Sequence, residues 1–82
     1  MSTQEITNKA FITRTNFIEL IAQNGMGQKV AVDMWKVVQK KVQEALDKEG
    51  KVLPSKNYYP TDLVLKVLDE TYGISRKSLR RA

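Results

Sequence analysis

The chain of 82 residues contains no cysteine and no histidine. Without cysteine there is no disulfide and no thiolate metal site. Without histidine as well, zinc would have to be held by carboxylates alone. The commonest general base and the strongest nucleophile are missing together. No arrangement of the remaining Ser, Thr, Tyr, Lys and carboxylate side chains stands out. The sequence therefore reads as a non-enzyme, with no cofactor, no metal and no evident small-molecule substrate. No apolar run approaches the length that spans a bilayer, so no membrane partner is expected. The N-terminus lacks a basic start followed by an apolar core, so it does not read as a secretory signal. A cytoplasmic protein is the expectation.

Proline occurs twice and glycine four times, and Gly25, Gly27, Gly50, Pro54, Pro60 and Gly73 divide the chain cleanly. One domain fits this length and two do not. Residues 1–12 are mostly polar and read as a flexible arm. Ser2 and Glu5 have capping-box spacing, but Thr7 and Asn8 speak against a long helix. Residues 13–82 read as a single helical domain.

A first helix is expected to start between Thr13 and Asn16, with Asn16 as cap, and to end near Asn24. Phe17, Leu20 and Ile21 share one face, and Gly25 suits a left-handed stop. A long second helix runs from Gln28 to Glu49 without Gly or Pro. Val30, Met34, Val37, Val38, Val42, Ala45 and Leu46 form its apolar stripe, widened by Ala31 and Trp35. Lys36, Lys40, Glu44 and Lys48 occupy the outer face. That helix is long for so small a domain, which suggests that a second copy of the chain covers part of it. Trp35 reads as core. The connection from Lys51 to Pro60 is expected to be irregular. There Tyr58 and Tyr59 read as sealing a core edge, with base stacking as the alternative. A third helix begins at Pro60 or Thr61, with Thr61 as cap. Val64, Val67, Leu68, Thr71 and Tyr72 face inward, and Leu63 and Leu65 add burial on a further side. Ser75 caps a short fourth helix. The fold class expected is all-α: three main helices plus a short C-terminal one, with the long second helix central.

Charge is placed unevenly. The net charge is +5, and the last eight residues carry +4 of it. The phrase Tyr72-Gly73-Ile74-Ser75-Arg76-Lys77-Ser78-Leu79 resembles the turn and recognition-helix start of helix-turn-helix DNA-binding proteins. Leu68, Gly73, Ile74 and Leu79 stand where that motif needs an inner apolar residue, a turn glycine and two apolar anchors. Asp69 stands where the motif usually has a small residue. The resemblance implies that Ser75, Arg76, Lys77, Ser78, Arg80 and Arg81 face nucleic acid. The same residues also fit a helical hairpin with a basic tail.

Further upstream, Thr13-Arg14-Thr15-Asn16-Phe17-Ile18, the break at Gly25 to Gly27, Gln28-Lys29, and Glu44 through Val52 are similar to the two N-terminal helices of the HU/IHF family of DNA-bending proteins. That resemblance covers about residues 13–53. It implies helical pairing and a homodimer, without the sheet and β-arms, for which Pro54 to Tyr59 and a helix are substituted. The functional expectation is a small basic nucleic-acid-binding protein, on duplex DNA through the C-terminal segment with Lys56 adding a contact, and nucleoid-associated in the cell. The alternative is a helical adaptor that binds a protein partner through apolar surplus on the second and third helices.

Overall fold

A computed structural model describes residues 2–53 and 57–79 of the chain. The order of elements is α1 (Thr3–Thr7), β1 (Phe11–Ile12), α2 (Arg14–Gln23), α3 (Gln28–Glu49), β2 (Tyr59–Pro60) and α4 (Thr61–Tyr72). The fold is predominantly helical, with one small antiparallel sheet, so it is not strictly all-α. In that sheet Phe11 lies opposite Pro60 and Ile12 opposite Tyr59.

The first correction concerns the expected arm. Ser2 and Glu5 make both bonds of the capping box: Glu5 N–H to Ser2 Oγ at 3.2 Å, and Ser2 N–H to Glu5 Oε1 at 2.9 Å. Thr7 and Asn8 do stop the helix, with Asn8 as its C-cap. A helix of five residues is marginal by itself, so packing must hold it. Ile6 is fully buried. Thr3 Oγ1 donates to Gln23 Oε1 at 3.2 Å and accepts from Asn24 Nδ2 at 3.2 Å. These contacts fasten α1 to the C-terminal end of α2, which a local sequence pattern does not reveal.

Helix α2 begins at Thr13, whose Oγ1 accepts the Asn16 N–H at 3.2 Å while Asn16 Oδ1 accepts the Thr13 N–H at 3.1 Å. Thr13, not Asn16, is therefore the cap. At its other end Met26 N–H reaches Ile21 O and Gly25 N–H reaches Ala22 O. Gly25 at φ 91° supplies the left-handed residue that this paired C-terminal bond pattern requires.

Helix α3 has 22 residues, about 33 Å at the standard rise. The whole molecule measures 34 × 21 × 21 Å, so α3 sets its long axis. Its buried residues are Ala31, Met34, Trp35, Val38, Val42 and Leu46. The buried arc is thus rotated from the expected stripe, toward Ala31 and Trp35. Val30 and Val37 lie outside it, at 49% and 39% exposure. One chain covers the rest of the apolar face by itself, because α2 packs along one flank and α4 along another.

Three aromatic rings join the pieces. Trp35 packs on Phe17 with centroids 5.0 Å apart and meets Tyr59 edge-on at 5.2 Å. Such pairs add about 0.5–1.5 kcal/mol each beyond area burial. The buried Tyr59 hydroxyl accepts a 2.8 Å bond from Gln39 Nε2. Pro60 biases Tyr59 toward an extended backbone, which is what the strand needs. The Thr61 N–H then continues the pairing to Ala10 O at 3.0 Å.

Thr61 does not cap α4. Pro60 occupies the cap position without a side-chain bond, and Thr61 is buried with its Oγ1 unpartnered. Along α4, Val64, Leu65, Val67 and Leu68 are buried. Tyr72, expected to face inward, is 41% exposed. The expected short C-terminal helix is also absent among the described residues, where residues 76–78 form a turn. Leu79 N–H makes a 3.2 Å i→i−4 bond to Ser75 O. One such bond does not offset the cost of starting a helix.

Two outcomes follow for the N-terminal segment. Ile6→Ala lowers unfolding free energy by about 2–5 kcal/mol, read from urea denaturation; a free arm would give no change. Glu5 is held below the usual glutamate pKa, first by its bond from the Ser2 backbone N–H and then by the Ser2 hydroxyl. Because the folded value is depressed, its stabilising contribution is present above the ordinary value and is lost as pH falls through the depressed one. NMR should show α1 fraying across that acid window in the native chain and a flat response in Glu5→Gln.

Candidate nucleic-acid interface

The C-terminal segment starts where α4 stops. Gly73 has φ 71°, and its N–H bonds Asp69 O at 2.8 Å. The left-handed conformation turns the chain back toward the body of the domain, and glycine adopts it without the Cβ clash other residues meet. Ile74 then packs against the core, and Leu79 is buried at 7% exposure. Leu68, Gly73, Ile74 and Leu79 thus include three apolar anchors around one left-handed turn. Asp69 is exposed.

The polar residues between those anchors divide by role. Ser75 behaves as a cap: its Oγ accepts the Ser78 N–H at 3.2 Å, and the two hydroxyls lie 3.1 Å apart. Arg76 lies across the surface and stays exposed. Its Nη2 meets Asp62 Oδ1 at 3.0 Å and its Nη1 donates to Thr7 O at 3.3 Å. The guanidinium thereby links α1, the start of α4 and the C-terminal segment. An exposed ion pair of this kind contributes about 0–1 kcal/mol, so it orients Arg76 more than it stabilises the fold. Lys77 is exposed and has no ion-pair partner among the described residues. Arg80, Arg81 and Lys56 lie outside the described residues.

The structure therefore brings Ser75, Arg76, Lys77 and Ser78 together on one docked turn. Arg76 is exposed, as expected, and Asp62 and the Thr7 carbonyl hold its guanidinium on the surface.

A second basic surface lies elsewhere. A cleft of about 610 Å³ opens between the start of α2, the middle of α3 and the approach to β2. Arg14 and Lys36 stand on its walls with Gln39, Asn57 and Tyr58, and Trp35 and Tyr59 contribute to its lining. Among the described lining residues two are basic and none is acidic. Tyr58 is 48% exposed, whereas its neighbour Tyr59 is buried. Tyr58 forms a bridge just before β2, and successive side chains of extended backbone point to opposite faces. Arg14 and Lys36 are 22 positions apart, so no spacing in the sequence signals that they line one cleft. The adjacent tyrosines were the visible trace of the site, and Tyr59 alone seals the core edge.

No protein-family model, curated protein or solved structure matches the chain. No helix among the described residues is long and apolar enough to cross a membrane.

Leu79→Ala tests whether the basic segment is docked. It should destabilise the protein by about 2–5 kcal/mol, read as a shift in the urea midpoint at constant slope. A change under about 0.5 kcal/mol would mean that the side chain contributes nothing to the core.

Proposed function

We propose that this chain is a small nucleic-acid-binding protein that holds duplex DNA by its phosphates. The basic C-terminal segment is the contact surface. The observation that carries the reading is a surplus of +4 over the last eight residues, on a stretch whose Leu79 is buried in the core. Charge held on a fixed turn offers phosphate ligands at a lower ordering cost than charge on a free tail. In this reading Lys77, Arg80 and Arg81 neutralise phosphates. Ser75 and Ser78 stand beside Lys77 as hydroxyl donors, and Lys56 adds a contact. Arg76 positions the segment through Asp62. Residues 75–79 form one turn and not a helix, so the reading places the binding energy in phosphate contacts and little of it in base recognition. A nucleoid-associated, cytoplasmic location follows if DNA is the ligand.

A second reading has its own observation. Val30 and Val37 lie two turns apart on one face of α3 and are both exposed. A protein partner, or a second copy paired as the HU/IHF resemblance implies, would cover them. The apolar surplus expected at Leu63 and Leu65 of α4 gives this reading little support, because Leu65 is buried and Leu63 packs partly buried against the core.

Fluorescence anisotropy on a random-sequence duplex separates the two. Affinity should fall steeply with salt, and Lys77→Ala with Arg80→Ala and Arg81→Ala should reduce the logarithmic salt slope by about 2.7, at about 0.9 per lost phosphate contact. An unchanged slope, or no binding at low salt, would rule out the DNA reading. Loss of partner binding or of dimer sedimentation in Val30→Asp with Val37→Asp would then favour the second.

A further inference from the structure

We infer that the cleft between α2 and α3 is a separate binding site for single-stranded nucleic acid, with a base stacked on Tyr58 and phosphates on Arg14 and Lys36. The inference rests on the nucleic-acid reading for its class of ligand, but on none of the C-terminal residues.

Three features of the cleft point to that ligand together. Its volume of about 610 Å³ falls within the range of about 300–1,000 Å³ that small-ligand sites occupy. Its described charged lining residues are Arg14 and Lys36, both cationic, and neither forms an ion pair with a described residue. An anion therefore meets two free cations and no competing carboxylate in the lining. The third feature is the exposed ring of Tyr58 beside them. A surface tyrosine next to cations is the combination that single strands use, because bases stack on the ring while the backbone follows the charge. A duplex keeps its base faces inside its own stack, and an acidic peptide has no planar group for the ring.

The cationic track also continues beyond the cleft. Lys36 and Gln39 line both the cleft and the neighbouring depression, where Lys40 follows one turn along α3. Glu44 lies at the far end of that depression and closes the track. Gln39 is already committed to the Tyr59 hydroxyl, so it serves the wall of the site. A strand would therefore enter over Arg14 and Tyr58 and leave past Lys36 and Lys40.

The protein carries its own reporter. Trp35 is the single tryptophan and contributes to the lining of the cleft. Titration of the full chain with an oligothymidylate of about eight nucleotides should change Trp35 emission, with affinity confirmed by anisotropy of labelled strand. Tyr58→Ala, and Arg14→Ala with Lys36→Ala, should each weaken binding roughly tenfold, and Tyr58→Phe should retain it. All three side chains are exposed, and circular dichroism checks that the variants fold. Lys77→Ala with Arg80→Ala and Arg81→Ala should leave strand binding in place while weakening duplex binding. Duplex binding undiminished in that triple variant, or absent from the native chain, with strand binding intact would overturn the C-terminal reading and support this one. Wild-type strand affinity in Tyr58→Ala or in the Arg14 and Lys36 variant would overturn the cleft site. So would equal weakening by Tyr58→Phe, or an equal Trp35 response to poly-glutamate, which would assign the cleft to acidic peptides.

Discussion

Trp35 clasped between Phe17 and Tyr59 is the contact on which the rest of the structure depends. Phe17 comes from α2, Trp35 from α3 and Tyr59 from the strand that leads into α4. One indole thus ties together elements that are far apart in sequence. The closure also fixes the small sheet, since Tyr59 pairs with Ile12 and draws β1 to the same place. Once β1 is set, the N-terminal helix has a defined entry, and Ile6 reaches the core. A domain of this size, with no cysteine and so no disulfide staple, relies on such packing for its stability.

The same closure determines what is left outside. Tyr59 turns in, so its neighbour Tyr58 turns out beside Arg14 and Lys36. At the other end of α4, the left-handed Gly73 sends the chain back over the domain, and Leu79 anchors it. Among the described residues, cations without an ion-pair partner then stand on the closing turn, at Lys77, and in the α2–α3 cleft, at Arg14 and Lys36. Arg76 shows the opposite case: its charge is used within the fold, on Asp62 and the Thr7 carbonyl. Formal charge and available charge therefore differ, and geometry decides which residues remain available.

Much of the helical architecture was legible in the sequence. The extents of α2 and α3 follow closely from the Gly25 and Gly50 stops and the apolar spacing of Val38, Val42 and Leu46, while the caps expected at Asn16 and Thr61 fall instead on Thr13 and Pro60. Local rules failed where distant contacts decide. The capping box at Ser2 and Glu5 was visible, but only burial of Ile6 and the bonds of Thr3 to Gln23 and Asn24 make a five-residue helix persist. Periodicity set the stripe of α3 about one residue away from its true centre, because Val30 and Val37 fit the same spacing as the buried side chains. The strand at Phe11 was missed because its partner lies almost fifty residues later. Of the candidate interface, the anchors Leu68, Gly73, Ile74 and Leu79 could be read in advance. The bonds of Arg76 to Asp62 and the Thr7 carbonyl, and the placing of Arg14 and Lys36 on one cleft, could not.

The account claims above all that nucleic acid meets the docked basic turn and not the apolar face of α3. A chemical-shift map of the isotope-labelled chain, titrated with a short duplex at low ionic strength, addresses this directly. The predicted result is a set of perturbed amides centred on Ser75 to Leu79, with Val30 and Val37 unmoved. Perturbations centred on Val30 and Val37, or none anywhere on the chain, would contradict it.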